Sequence, residues 1–95
     1  MFDVIVTQKI ESGREAEAEE ILRELSAATR ALDRSCVRYE WYRSETRGTY
    51  VLVGRWTDEA AARVHVQAPH TTAALLKLAD CADEKFRMTR LAVLT

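Results

Sequence analysis

The sequence predicts an α+β fold, a four-stranded antiparallel sheet with helices on one face. Three observations predict it. Four segments alternate apolar and polar residues with period two. Two longer segments repeat apolar residues at spacings of three and four. Their order along the chain is β-α-β-β-α-β, the ferredoxin-like arrangement.

The first strand covers residues 1–10, with Phe2, Val4 and Val6 on one face and Asp3, Ile5, Thr7 and Lys9 on the other. Ser12 followed by Glu15 then reads as a capping box, in which hydroxyl and carboxylate each satisfy an orphan amide of the first turn. Glu15, Glu17, Glu19 and Glu20 cluster where the helix dipole favours anions, and Ile21, Leu22, Leu25 and Ala28 form an apolar stripe. The first helix is therefore predicted over residues 13–31.

Alternation resumes over residues 35–43, with Val37, Tyr39 and Trp41 opposite Cys36, Arg38, Glu40 and Tyr42. A polar connection ending in Gly48 leads to a third strand over residues 49–56, with Val51 and Val53 opposite Tyr50, Leu52, Gly54 and Trp56. Thr57, followed by Asp58 and Glu59, caps a second helix running to about residue 66. Pro69 interrupts it and suits the first turn of a further helix, whose apolar side is Leu75, Leu76, Leu78 and Ala79. Residues 85–94 form the fourth strand, with Phe86, Met88, Ala92 and Leu94 on one face.

A chain of 95 residues suffices for a single domain, 1–95, with a thin core. Its formal charge of −1, with both signs mixed, lacks the basic footprint of a nucleic-acid binder. No apolar run approaches the ~20 residues of a membrane span, and the first ten residues read as a strand rather than a signal peptide. Cys36 and Cys81 form no metal-binding or disulfide spacing, so two reduced thiols in a cytoplasmic protein are expected, with no metal.

Helices cover one sheet face only, yet both faces are apolar. One set is Phe2, Val4, Val6, Val37, Tyr39, Trp41, Val51, Val53, Phe86 and Met88; the other is Ile5, Tyr42, Tyr50, Leu52, Trp56, Leu91 and Val93. A homodimer packed through sheet faces is the simplest way to bury the second set.

Several stretches carry a resemblance. They are Cys36-Val37-Arg38-Tyr39-Glu40-Trp41-Tyr42, then Tyr50-Val51-Leu52-Val53-Gly54-Arg55-Trp56 with Thr57-Asp58-Glu59-Ala60, then His65 and Ala68-Pro69-His70. With Val4-Ile5-Val6 and the Ser12-Gly13 turn, and over essentially the whole chain, they resemble the antibiotic biosynthesis monooxygenase (ABM) superfamily of dimeric α+β barrels. The resemblance implies a cofactor-independent monooxygenase that oxidises a small hydroquinone- or anthrone-like aromatic with O₂. In that reading His65 is the proton acceptor, and Tyr39, Trp56, His70, Val6 and Phe86 surround the substrate. Haem degradation is not implied: the first strand lacks the Asn of the haem-degrading members, His65 stands at their Trp position, and Leu75 replaces the later His.

Each site residue has a structural alternative. His65 can brace the Pro69 kink through a backbone hydrogen bond, His70 can be solvated, and Trp56 and Tyr39 can be core filling. Arg38 and Arg55 are expected to pair with carboxylates such as Glu40 rather than hold an anionic substrate. Two other functions remain open: a non-catalytic dimeric module that binds a small ligand, and an isomerase on the same scaffold using His65 as base.

Overall fold

A computed structural model describes residues 1–95. The elements are β1 (Phe2–Lys9), α1 (Glu15–Leu32), β2 (Cys36–Arg43), β3 (Thr49–Trp56), α2 (Glu59–Gln67), α3 (Pro69–Cys81) and β4 (Arg87–Leu91). The strands form one antiparallel sheet in the order β2-β3-β1-β4, the ferredoxin-like topology. The core lies between the sheet and α1, α2 and α3, around Val4, Leu22, Leu25, Leu52, Trp56 and Leu78.

Register decides which side chains meet the helices. Val4 pairs with Gly54, Val6 with Leu52 and Met88, and Tyr39 with Gly54. Tyr50, Leu52 and Trp56 therefore share the covered face with Phe2, Val4, Val6, Tyr39 and Trp41, while Val51 and Val53 lie on the other. This reverses the expected placement of the third strand, because alternation fixes the two sides of a strand but not which side meets its neighbours. A bulge between Cys36 and Arg38 makes a second correction. The extra residue turns Cys36 onto the core and leaves Val37 exposed.

The helix ends also differ in detail. Gly13 adopts φ +93°, and α1 begins only at Glu15 with Arg14 in the N-cap position. Glu15 is thus the first helical residue rather than the third, too early to close a box with Ser12. Its carboxylate instead accepts from the Gly13 amide at 2.7 Å. In α2 the cap is Asp58, whose carboxylate accepts from the Ala61 amide at 2.8 Å. Thr57 is one residue too early, its amide donating to the Ser35 carbonyl beyond the end of β3. Ala68 is extended (φ −65°, ψ 143°), as the residue before a proline prefers, and α3 starts at Pro69 as predicted. The buried stripe of α3 is Thr71, Ala74, Leu78 and Cys81, which turns Leu76 into solvent. The fourth strand is shorter than expected, and this sheet edge carries Arg87 and Arg90.

Glu19 ties α1 to the β2–β3 hairpin. Its carboxylate accepts from Arg43 at 2.6 and 2.9 Å and from the Tyr50 hydroxyl at 2.7 Å. These donors, Arg43 first, hold its pKa at about 2 against an ordinary 4.5. The sign follows: a carboxyl that is more acidic in the folded state contributes stability above its unfolded pKa and loses it as pH falls toward the folded one. Stability should therefore decline between about pH 5 and pH 2, and Glu19→Gln should flatten that decline. Urea midpoints of both proteins across this range check it; parallel curves would remove Glu19 as the cause.

Candidate functional site

A cavity of about 400 Å³ lies between sheet and helices. Its floor is Val4, Val6 and Leu52, and its roof Leu25, Ala62 and Leu78. Phe86 and Met88 extend the lining past β1, and Trp56, Tyr39 and His65 add aromatic walls. The lining is predominantly apolar with few polar groups, as small-molecule sites are.

His65 is the chemically distinctive member. It stands in the last turn of α2 with only 5% of its surface exposed. Its ring lies 5.1 Å from that of Trp56 and 5.2 Å from that of Tyr39. Its Nδ1 is 2.5 Å from Oδ2 of Asp33, the C-cap residue of α1. Burial lowers the His65 pKa below its ordinary 6.5, and the Asp33 carboxylate only partly opposes this. The ring is therefore neutral at neutral pH. With its proton on Nδ1, facing the carboxylate, the lone pair is on Nε2.

Tyr39 is held by another contact, its hydroxyl accepting from Trp41 Nε1 at 3.2 Å. Burial pushes its pKa up to about 12, so it remains a phenol that can donate a proton in a hydrogen bond. Trp56 packs over Gly54, where a Cβ would come within 2.7 Å of the indole; glycine leaves room for that wall. The Trp56 N–H is buried and has no protein acceptor.

Of the residues singled out in the sequence, His65, Tyr39, Trp56, Val6 and Phe86 line this one cavity. His70 does not. The helix break before Pro69 folds it behind His65, with ring centroids 6.1 Å apart and Nε2 3.3 Å from Asp33 Oδ1. Arg55 pairs with Asp3 across the sheet at 2.5 Å, and Arg38 with Glu40 along its own strand at 2.5 Å, so neither faces the cavity. Sequence reasoning missed Asp33. The available signal was an acid at the C-terminal end of a helix, where the dipole disfavours an anion.

The fold and the cavity define a ferredoxin-like α+β protein with an apolar cavity between sheet and helices. The family model for antibiotic biosynthesis monooxygenase matches residues 1–75. The chain belongs to this family. A solved antibiotic biosynthesis monooxygenase superposes with a TM-score of 0.94 at 21% identity, covering 100% of both chains. A Mycobacterium tuberculosis protein gives 0.90 at 22% identity, covering 99% of this chain and 95% of its own. A Pseudomonas aeruginosa protein gives 0.89 at 20%, covering 99% and 94%. At these identities the likeness is one of fold. No curated protein sequence matches the chain. No helix is long and apolar enough to cross a membrane.

Proposed function

We propose that the chain is a monooxygenase that takes its electrons from the substrate, a small hydroquinone- or anthrone-like aromatic, and needs no cofactor. The observation that carries this reading is His65, buried, braced by Asp33 and set in the wall of an apolar cavity. His65 Nε2 takes a phenolic or enolic proton, Asp33 stabilises the imidazolium through Nδ1–H, and the electron-rich anion that remains reacts with O₂. Overall, the methylene of an anthrone and O₂ become a carbonyl and water, and a hydroquinone and O₂ become a hydroxyquinone and water; in both cases the substrate is the reductant. Tyr39 and the Trp56 N–H supply donors for a substrate oxygen, and the apolar lining accepts flat rings. The test is O₂ uptake by chelator-treated protein across a panel of hydroquinones and anthrones. Uptake independent of metal and flavin is the expected result. Thermal stabilisation by panel members without uptake would instead mark a binding module.

The same reading includes a homodimer. The sheet face away from the helices carries Ile5, Val51 and Val53, with Tyr42 and Leu91 about 42% exposed. Sedimentation equilibrium should give twice the 10.8 kDa chain mass, and Val53→Asp should shift it toward one chain. A single-chain mass for the unaltered protein would refute the pairing.

A further inference from the structure

We propose that Asp33, His65 and His70 form a binding site for one divalent transition-metal ion of the zinc or cobalt type, on the side of His65 away from the cavity. One donor atom from each residue lies within 4.8 Å of the other two. Two imidazoles and one carboxylate suit borderline ions such as Zn²⁺, Co²⁺ or Fe²⁺, whereas Ca²⁺ and Mg²⁺ prefer oxygen donors alone. Donors around such an ion, each about 2.1 Å from it, stand about 3.0–3.5 Å apart. The Asp33–His70 separation is already 3.3 Å. The closer Asp33–His65 contact opens once an ion replaces the proton between them.

An independent observation points to a ligand here. His70 Nε2 is buried and makes no aligned hydrogen bond, although it lies beside a carboxylate. Buried polar atoms are rarely left this way in a native protein, and a bound ion satisfies this one. Asp33 makes ion-pair contacts only with the two histidines and with no Arg or Lys, so no fixed cation competes with a metal. The donors come from the end of α1, the last turn of α2 and the first turn of α3, three elements that pack together only in the folded chain. Asp33 and His70 are absent from the cavity lining, so the ion sits behind His65 rather than against substrate.

That placement has a chemical consequence, which rests on the proposed role of His65. Without metal, the imidazole proton is on Nδ1 and the lone pair on Nε2. When a metal occupies Nδ1, the neutral ring carries its proton on Nε2, which then donates instead of accepting. The proton moves within the ring and none is lost. The metal thus switches off the base without touching the substrate.

The test is a titration of the chelator-treated 95-residue chain with Co²⁺, followed by its visible ligand-field absorption and by Zn²⁺ displacement. Expected are saturation at one ion per chain and affinity at least about tenfold weaker in both Asp33→Asn and His70→Gln. Asp33→Asn keeps the shape of the side chain, and circular dichroism of each variant checks folding. No saturable spectrum, or equal affinity in folded variants, overturns the site. Saturating Zn²⁺ should also bring O₂ uptake to background. A bound ion that leaves uptake unchanged overturns the switch. If no substrate is ever turned over, the monooxygenase chemistry fails while the Co²⁺ titration still decides the site.

Discussion

Replacing His65 with alanine should lower kcat for a turned-over hydroquinone or anthrone by about 10²–10⁴-fold, the usual contribution of a positioned general base. The expectation combines three features of the folded chain. Burial keeps the imidazole neutral, so it can accept a proton at neutral pH. Asp33 fixes the tautomer and steadies the imidazolium that forms. The predominantly apolar lining of the cavity offers few groups that would compete for the proton. Asp33→Asn should lose a comparable part of kcat with little change in KM, because the amide can donate to Nδ1 and so favour the tautomer protonated at Nε2. A structural role alone would predict something else: both variants would lose thermal stability while the surviving folded protein kept its turnover. Initial rates from an oxygen electrode, normalised to folded protein, separate the two. Unchanged kcat in folded His65→Ala would remove this residue from the chemistry.

The strands and helices were legible because each carries its own period. The spacing of apolar residues marks α1, and Pro69 marks the boundary between α2 and α3 without reference to any other part of the chain. What the sequence did not reveal was relational. Whether Trp56 or Val53 meets the helices depends on the pairing of Phe2 with Trp56 and Ile5 with Val53, and a shift by one residue would exchange them. The bulge beside Cys36 is similar, since one extra residue in β2 has no periodicity of its own. Caps fell between these cases. A capping residue was recognisable by type near both helix starts, but the positive φ of Gly13 delayed α1 past the expected box.

The site divides along the same line. His65 was identified from its place in a resemblance, and Tyr39 and Trp56 from their type. Asp33 was not, because its role depends on the end of α1 arriving beside residues 32 and 37 positions further along the chain. Nor did the chain order of Asp33, His65 and His70 match a familiar ligand spacing, which is why no metal-binding cluster was expected. The cluster is assembled by tertiary packing. The local sequence supplies the groups, and the break at Pro69 brings the two imidazoles to one carboxylate.

Trp56→Ala should cost about 3–5 kcal/mol of folding stability, the range for truncating a large buried aromatic. That is a large share of the roughly 5–15 kcal/mol that holds a domain together. The indole is 3% exposed, packs edge-on to Tyr39 with centroids 6.1 Å apart, and covers Gly54. Alanine would leave a void joined to the cavity, and the rigid sheet beneath cannot collapse to fill it. Trp56→Phe should behave differently. It keeps much of the ring and removes an N–H that is buried without an acceptor, a group whose unpaired burial costs about 1–3 kcal/mol. The smaller ring and the relief of that N–H act in opposite directions, so the phenylalanine variant should fall within about 1 kcal/mol of the parent. Urea unfolding at matched m-values measures both. If the Trp56 N–H also serves a substrate oxygen, the phenylalanine variant should bind substrate more weakly despite its near-native stability. Equal losses of stability in both variants would instead mean that the indole N–H is satisfied in solution and that the wall of the cavity depends on it.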